Sequence, residues 1–214
     1  YVNDAFSVCH RREASVSAIT NFLPSYAGME LEREIKSLSR VMKNVRHPLV
    51  FILGGEKAGD KLGILRYFRR RADKFLLGGA PANTVLSLKG MDVKKSLRDT
   101  DGRNFKELKA LLKYKNIVLP VDFTLRGGAI LDIGTETTHA FGDIIGKAKT
   151  IVWNGPVGLI EKKPFNRGTL AVARMITGNK KAFSIVGGGE TVMFLKKYGL
   201  DKKFSFVSTG GGAL

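Results

Sequence analysis

Several features that would define other protein classes are missing from this sequence. Cys9 is the only cysteine among 214 residues, so no internal disulfide can form, and a reducing compartment such as the cytoplasm is expected. Apolar runs stay far below the roughly 20 residues of a membrane-spanning helix. The start, Tyr1-Val2-Asn3-Asp4, has neither the basic nor the apolar region of a secretory signal. The sequence therefore predicts a cytoplasmic globular protein without a membrane partner.

Acidic residues are also scarce, since 36 Lys and Arg stand against 19 Asp and Glu and give a net charge of +17. A field of that sign attracts polyanions, nucleic acids included. Along the sequence the cations form short separate clusters, such as Arg69-Arg70-Arg71 and Lys180-Lys181, without a single stripe of basic and aromatic residues. We expect most of them to lie on solvated helix faces and turns. Weak nucleic-acid binding at low salt is expected, but no specific nucleic-acid partner.

What the sequence does contain is a repeated pattern in which an apolar, strand-like run leads into a glycine-rich turn and then a helix-like segment. It occurs five times, with residues 48–53 leading into 54–61, 75–77 into 78–81, 150–152 into 153–158, 183–186 into 187–191, and 204–207 into 208–212. Glycine lets the backbone approach a ligand closely, and a helix N-terminus suits phosphate. The pattern predicts a nucleotide site at the carboxyl ends of parallel strands.

The segments between these predicted strands show the apolar spacing of helices. Apolar residues recur at helical spacing between residues 28 and 44, at Met29, Leu31, Ile35, Leu38 and Met42. Further helices are predicted near residues 62–68, 81–88, 104–114, 137–145, 167–176 and 191–198, and a short strand within residues 1–6. Alternating strands and helices predict an α/β fold, a Rossmann-like three-layer α/β/α domain with a mostly parallel sheet.

The amino-acid sequences of these turns resemble those of the phosphoglycerate kinase family. The residues that carry the resemblance occur in the family's order and span nearly the whole chain: 1–6, His10-Arg11, 54–61, 119–122, 131–134, 153–156, 187–189 and 208–213. The resemblance implies the fold of that family's C-terminal nucleotide-binding lobe. It also implies a piece of a longer protein. Residues 1–15 would end the 3-phosphoglycerate-binding domain, residues 16–45 would form the interdomain helix region, and residues 46–214 would form a nucleotide-binding domain truncated at its C-terminal end.

The resemblance further implies the reaction, a reversible phosphoryl transfer between ATP and 3-phosphoglycerate that gives 1,3-bisphosphoglycerate and ADP, with Mg²⁺, in glycolysis or gluconeogenesis. The full-length enzyme would be a monomer. The catalytic residues implied are Lys57, Arg11, Gly211 and Gly212, with Arg11 also binding the phosphate of 3-phosphoglycerate. Because Lys57 and Lys61 are four residues apart at a predicted helix start, they would face the same turn. The alternative for this pair is two solvated surface lysines.

The nucleotide-binding residues implied by the resemblance come from four of the five turns and two neighbouring segments: Lys61, Gly78, Gly79, Leu131, Asn154, Glu161, Gly187, Gly188, Gly189, Glu190 and Thr191. Gly78, Gly79 and Leu131 would line the adenine slot. Glu161 would accept both ribose hydroxyls, or else it is a surface glutamate beside Lys162. The rest would hold the phosphates, whereas Trp153 is expected in the core.

The sequence departs from the family's pattern at several places. Glu190 stands where an aspartate is commonest, so it would bind Mg²⁺ directly or through water. Thr191 is either a second hydroxyl donor or a simple helix cap. Glu13 and Arg12 change the surroundings of Arg11, and Pro81 replaces a usual methionine. The segment between residues 122 and 132 is short, which would alter the rim of the base pocket.

Two hypotheses from different classes follow. In the first, this stretch folds alone, binds Mg-ADP or Mg-ATP weakly and turns over almost no substrate. In the second, it is a basic nucleic-acid-binding or regulatory module that retains the fold without the chemistry. The net charge of +17 and the altered residues near Arg11 motivate the second.

Overall fold

The computed structural model describes residues 1–211 and has an α/β architecture with ten strands and seven α-helices within that range. The strands are β1 Val2–Asn3, β2 Tyr26–Ala27, β3 Leu49–Leu53, β4 Lys74–Leu77, β5 Ile117–Val118, β6 Phe123–Arg126, β7 Ala129–Ile133, β8 Thr150–Asn154, β9 Phe183–Gly187 and β10 Phe206–Val207. The helices are α1 Met29–Met42, α2 Gly59–Phe68, α3 Gly79–Leu88, α4 Gly102–Leu111, α5 Thr135–Lys147, α6 Arg167–Gly178 and α7 Gly189–Lys197.

Six strands form one parallel sheet in the order β10-β9-β8-β3-β4-β5. The chain enters at β3, moves outward through β4 and β5, and then returns to the other side of β3 for β8, β9 and β10. The order of the strands therefore reverses between β3 and β8. In open α/β sheets, ligands bind in the crevice at the carboxyl ends of the strands at such a reversal.

Helices cover both faces of this sheet, which gives the predicted three layers. In β3, Leu49, Phe51 and Leu53 pack in one cluster with α1 to α4, while Val50 and Ile52 pack in a second cluster with α5 to α7. All five residues of β3 are buried. Continuous apolar runs of this kind are typical of parallel strands covered on both faces.

The N-terminal segment lies outside this sheet. β1 and β2 pair with each other in parallel, so the predicted strand within residues 1–6 is shorter than expected, and a 3₁₀ turn follows at Phe6–Val8. The predicted helix at residues 28–44 is α1, but the apolar face assigned to it is wrong in part. Met29 is 83% exposed and Ile35 is 48% exposed, whereas Leu31, Glu34 and Val41 are buried.

The short segment between residues 122 and 132 is an antiparallel hairpin of β6 and β7, which the sequence analysis did not anticipate. Its strands are joined by the two-residue turn Gly127-Gly128, and glycine pairs are typical of such turns. No helix in the described part of the chain is long and apolar enough to cross a membrane.

Candidate functional site

The carboxyl ends of β3 and β8 meet backbone to backbone. The amide of Gly54 donates to the Asn154 carbonyl oxygen at 3.0 Å, and the amide of Gly55 donates to the Pro156 carbonyl oxygen at 2.8 Å. A Cβ on Gly54 would overlap the Pro156 carbonyl oxygen. Glycine is therefore required here by the contact between the two turns, which together form the floor of a cleft.

This central cleft contains most of the residues that the sequence assigned to phosphate binding and catalysis. Its lining includes Lys57, Lys61, Asn154, Gly188, Gly189, Glu190, Thr191 and Gly211. They come from the turns after four different strands, β3, β8, β9 and β10. The expectation that these turns converge at one edge of the sheet is confirmed.

Lys61 is a partly buried cation of the cleft. Its Nζ donates to Asn154 Oδ1 at 2.8 Å, and α2 holds it in its first turn. Burial lowers the pKa of Lys61, although the nearby charges of Asp60 and Glu190 act in the opposite direction. A partly desolvated ammonium is stabilised by an anion that replaces its lost water. Lys57 precedes α2 and so shares no helical face with Lys61, but both lysines line the same cleft.

The N-terminus of α7 points its donors into the cleft. Gly188 precedes the helix with φ of +92°, a conformation that side chains rarely adopt. Gly188, Gly189, Glu190 and Thr191 all line the cleft, and the first amides of a helix have no intrahelical acceptor. Together with the partial positive charge of the helix end, these amides make an anion site.

Thr191 adds a hydroxyl to that anion site. The residue is fully buried, and its Oγ1 has no hydrogen-bond partner among residues 1–211. A buried hydroxyl without a partner is destabilising unless a ligand supplies one. The alternative that Thr191 is a simple cap is not supported, since its hydroxyl forms no hydrogen bond to a helix amide among residues 1–211.

A second, mostly apolar slot adjoins the central cleft. Gly79, Leu131 and Glu161 line it, together with Pro156 and Val157. Gly55, Glu56, Pro156 and Glu190 line both the slot and the cleft, so the two are continuous. A flat apolar ring with a polyphosphate attached has the matching shape and chemistry.

Asp132 lies at the base of this slot and is 3% exposed. Its two carboxylate oxygens accept from the amides of Ile133 at 2.9 Å and Gly168 at 2.8 Å, so it caps the N-terminus of α6. Burial raises the pKa of Asp132 to about 7, although hydrogen bonds from the main chain oppose the shift. Asp132 lies within the motif at residues 131–134, and no role was predicted for it.

Three assigned residues within residues 1–211 do not line the cleft or the slot. Gly78 and Gly187 are buried and shape the backbone, and Gly78 packs where a Cβ would overlap Val157. Arg11 lies on the exposed N-terminal segment, where its Nη1 is 3.4 Å from Glu13 Oε1. Gly212 lies outside the described residues. Trp153 is fully buried in the core, as expected, and its Nε1 donates to the Gly155 carbonyl.

Comparisons with known proteins show the family of this chain. The family model described as phosphoglycerate kinase matches residues 1–214. The chain belongs to the phosphoglycerate kinase family. It is 40% identical to the phosphoglycerate kinase of Bartonella quintana and 39% identical to that of Thermus thermophilus, in each case over the whole of this chain. A solved phosphoglycerate kinase structure from Coxiella burnetii aligns with 99% of this chain at a TM-score of 0.86 and 33% identity.

The chain spans only part of these family members. It covers 60% of the length of the Bartonella quintana and Thermus thermophilus proteins. It likewise covers 60% of the Coxiella burnetii structure, and 59% of one from Pyrococcus horikoshii that superposes with a TM-score of 0.86. The fold of the phosphoglycerate kinase family is thus present, whereas the activity of a complete member is a matter for proposal.

Glu34 is a residue of this family member that the sequence analysis missed. It is 2% exposed on α1, and it accepts from the Ser208 hydroxyl at 2.8 Å and from the Thr209 hydroxyl at 2.7 Å. It thereby ties α1 to the turn after β10, which leads to Gly211 in the cleft. The one sequence feature that indicated its burial is its position three residues after Leu31, which places both residues on the buried side of α1.

At the N-terminus of α2, the first helix amide is bonded to a side chain of the protein itself. Asp99 Oδ2 accepts from the Gly59 amide at 3.0 Å and from Asn104 Nδ2 at 2.8 Å. The expectation that each turn offers free helix amides to phosphate is therefore wrong for α2, where a carboxylate already occupies the helix start. At the turn after β3, the lysine side chains face the cleft instead.

Within residues 1–211, no group of three or more His, Cys, Asp or Glu side chains is arranged to hold a metal ion. Glu190 is the assigned metal ligand, and it is exposed at the junction of the cleft and the slot. A divalent cation at this point would need most of its oxygen ligands from a bound phosphate and water, as Mg²⁺ commonly does beside nucleotides.

Proposed function

We propose that this chain is the nucleotide-binding part of a phosphoglycerate kinase, which transfers a phosphoryl group reversibly between ATP and 3-phosphoglycerate. The observation that carries the proposal is the convergence on one cleft, beside an apolar slot, of Lys57, Lys61, the N-terminus of α7 and the Thr191 hydroxyl, which has no partner within residues 1–211. Phosphoryl transfer needs positive charge and fixed donors more than covalent chemistry, and this cleft supplies both.

In this proposal, ATP or ADP lies across the slot and the cleft. The adenine occupies the slot against Gly79 and Leu131, and Glu161 accepts from the ribose hydroxyls. Lys61, Asn154 and the α7 residues Gly189, Glu190 and Thr191 then hold the phosphates. Gly78 and Gly188 act through the backbone, since a Cβ on Gly78 would overlap Val157 and Gly188 has a φ of +92°. Gly187, at the end of β9, is assigned to the same phosphate turn as Gly188.

The residues present also fit Mg²⁺. When bound, the ion neutralises phosphate charge, and Glu190 is the ligand that this chain offers, directly or through water. The fit rests on the carboxylate of Glu190 and on its position where the cleft and the slot join.

For the transfer itself, Lys57 and the amides of Gly211 and Gly212 hold the moving phosphoryl, whose charge is spread over its equatorial oxygens. No general base is needed, because the acceptor is already a carboxylate. Arg11 binds the phosphate of 3-phosphoglycerate, as a planar guanidinium can do with two hydrogen bonds. Since Arg11 pairs with Glu13 and lies away from the cleft, it contributes only when the substrate lobe closes over the nucleotide.

We propose the same division of the chain as the sequence analysis: residues 1–15 end the substrate domain, residues 16–45 form the interdomain region, and residues 46–214 form the nucleotide domain. The single cysteine supports a cytoplasmic setting. A complete enzyme would be a monomer that uses 3-phosphoglycerate and 1,3-bisphosphoglycerate. The 214-residue chain alone is expected to bind nucleotide and to show almost no turnover.

Isothermal titration with Mg-ADP tests the nucleotide site. We expect saturable one-to-one binding that weakens at least tenfold in Lys61→Met, because a charge-assisted hydrogen bond to phosphate is lost. Lys106→Met is the matched control, since Lys106 is an exposed lysine on α4 outside the cleft. Equal affinity of both variants and the parent chain would remove the support for this assignment.

A coupled turnover assay tests the second part of the proposal. The chain alone is compared with the same chain mixed with a separately produced substrate domain from a complete family member. The chain alone is expected to show almost no turnover. Any turnover that appears in the mixture should be abolished by Lys57→Met. Native-like turnover by the chain alone would contradict the claim that it is only the nucleotide-binding part.

A further inference from the structure

The edge of the sheet opposite the cleft carries most of the protein's net charge. Six segments lie at the amino ends of the six parallel strands, at residues 43–48, 69–74, 113–116, 147–149, 180–182 and 201–205, and they include the last residue of α5, Lys147, and the first residue of β4, Lys74. These 27 residues contain fourteen Lys and Arg and two Asp, a net charge of +12 out of +17 for the whole chain. We call this surface the basic edge.

The six segments form one continuous row, because the strands that follow them are hydrogen-bonded neighbours in the parallel sheet. Phe183 donates from its amide to the Lys149 carbonyl at 2.9 Å, and Lys149 donates to the Pro48 carbonyl at 2.9 Å. On the other side, the Phe75 amide donates to the Asn116 carbonyl at 2.8 Å. Six strands spaced about 4.8 Å apart give the row a length of about 24 Å.

The charge of the basic edge is not neutralised within the protein. Of the ion pairs formed in the described part of the chain, one involves these segments, between His47 and Asp73. Asp73 also accepts from the Leu49 amide, so its carboxylate is already in use. Exposed lysines such as Lys115 and Lys180 therefore remain available for an external anion.

We propose that the basic edge is a docking surface for the phosphate backbone of nucleic acid, bound without sequence preference. A duplex carries one negative charge per about 1.7 Å of its axis, so about 24 Å of duplex presents about fourteen charges. The length and the sign of the surface match a backbone lying along the row. Release of condensed counterions then supplies the free energy of binding.

The side chains of the basic edge favour nucleic acid over an anionic lipid surface. At one end the Tyr114 hydroxyl accepts from Arg69 Nε at 3.2 Å, and Lys113 Nζ lies 5.5 Å from the Tyr114 ring centroid. Planar groups of this kind stack on bases. None of the large exposed apolar side chains of the described residues lies in the six segments, so the edge has nothing to insert into a membrane.

The nucleotide cleft and the basic edge lie at opposite ends of the same strands. β3 and β8 are five residues long, so the two edges are about 16 Å apart along the strands. Nucleic acid at the basic edge and Mg-ADP in the cleft can therefore be bound together. The proposal stands or falls independently of the kinase assignment.

Fluorescence anisotropy with a fluorescein-labelled 20-base-pair DNA duplex and a 20-nucleotide single strand tests the proposal. The double variant K115E/K180E reverses two charges of the basic edge and should weaken binding of the 20-mers at 50 mM salt at least tenfold. The slope of log K against log salt should also fall by about 2. K106E/R126E is the matched control, since both residues are exposed, lie outside the edge and change the net charge equally. The control should weaken binding less than threefold.

A second pair of substitutions and a competition with Mg-ADP distinguish binding at the basic edge from binding elsewhere. K43E/K202E, at two other segments, should weaken binding as much as the first pair, and circular dichroism should show all variants folded. Saturating Mg-ADP should leave binding of the 20-mers unchanged. Three results would each overturn the proposal. The edge and control variants could lose equal affinity for the 20-mers, or Mg-ADP could displace the oligonucleotide. The third is binding to phosphatidylserine vesicles without binding to either oligonucleotide.

Discussion

At the scale of single residues, the cleft contains groups that lower the stability of the free protein and that a bound anion would stabilise. Thr191 keeps a buried hydroxyl without a partner in the described residues, and Lys61 keeps a partly desolvated charge. Both are unfavourable in the protein alone and become favourable when an anion supplies the missing interaction. Replacing either one should therefore affect stability and binding differently.

Thr191→Val tests this exchange. Valine has the same shape without the hydroxyl, so the variant should be more stable by about 1 kcal/mol, while its affinity for Mg-ADP falls about tenfold. Thr177→Val is the matched control, since the Thr177 hydroxyl donates to the Ala173 carbonyl at 2.9 Å and its loss should destabilise. Urea unfolding and calorimetry give both quantities. A Thr191→Val variant that loses stability and keeps its affinity would contradict the role given to the hydroxyl.

Asp132 predicts a pH dependence of stability. Its folded pKa of about 7 lies above the unfolded value near 4, so between these values the folded state retains a proton that the unfolded state has released. The free energy of unfolding therefore falls as pH rises from about 4 to about 7, by up to about 1.4 kcal/mol per pH unit. Urea unfolding at several pH values should show this slope in the parent chain and its loss in Asp132→Asn. Identical slopes in the two proteins would refute the assignment.

At the scale of elements, close packing of two turns fixes the cleft. Because a Cβ on Gly54 would overlap the Pro156 carbonyl oxygen, Gly54→Ala should destabilise by on the order of 3 kcal/mol and weaken Mg-ADP binding. Gly63→Ala is the matched control on α2, where nothing lies within 4 Å of the added Cβ, and it should stabilise by about 0.5 to 1 kcal/mol. Thermal unfolding compares the two. A Gly54→Ala variant as stable as the parent chain would show that the turns are not in tight contact.

Elements were predictable from sequence where the local pattern decides their structure. The strands before the five glycine turns and all seven helices were predicted, because apolar periodicity and glycine positions act over a few residues. The buried face of α1 was predicted wrongly, since Glu34 is buried by partners near residue 208 that sequence spacing cannot reveal. The hairpin of β6 and β7 was missed, although the pair Gly127-Gly128 between two apolar runs was an available signal.

At the scale of the whole molecule, tertiary structure collects groups that are far apart in sequence. The cleft joins residues from the turns after β3, β8, β9 and β10, and the family resemblance anticipated most of them. The basic residues looked scattered along the sequence, yet parallel strands place their preceding segments on one edge. Each segment carries only a few cations, so no local pattern could have indicated a surface of net charge +12.

The most direct test of the central claim is amide hydrogen exchange of the chain with and without saturating Mg-ADP. If polyphosphate binds at the N-terminus of α7, exchange should slow at Gly189, Glu190 and Thr191 and around Gly55, and remain unchanged at residues 113–116 on the opposite edge. Unchanged exchange at α7, or slower exchange at residues 113–116 instead, would contradict a nucleotide site between β3 and β8.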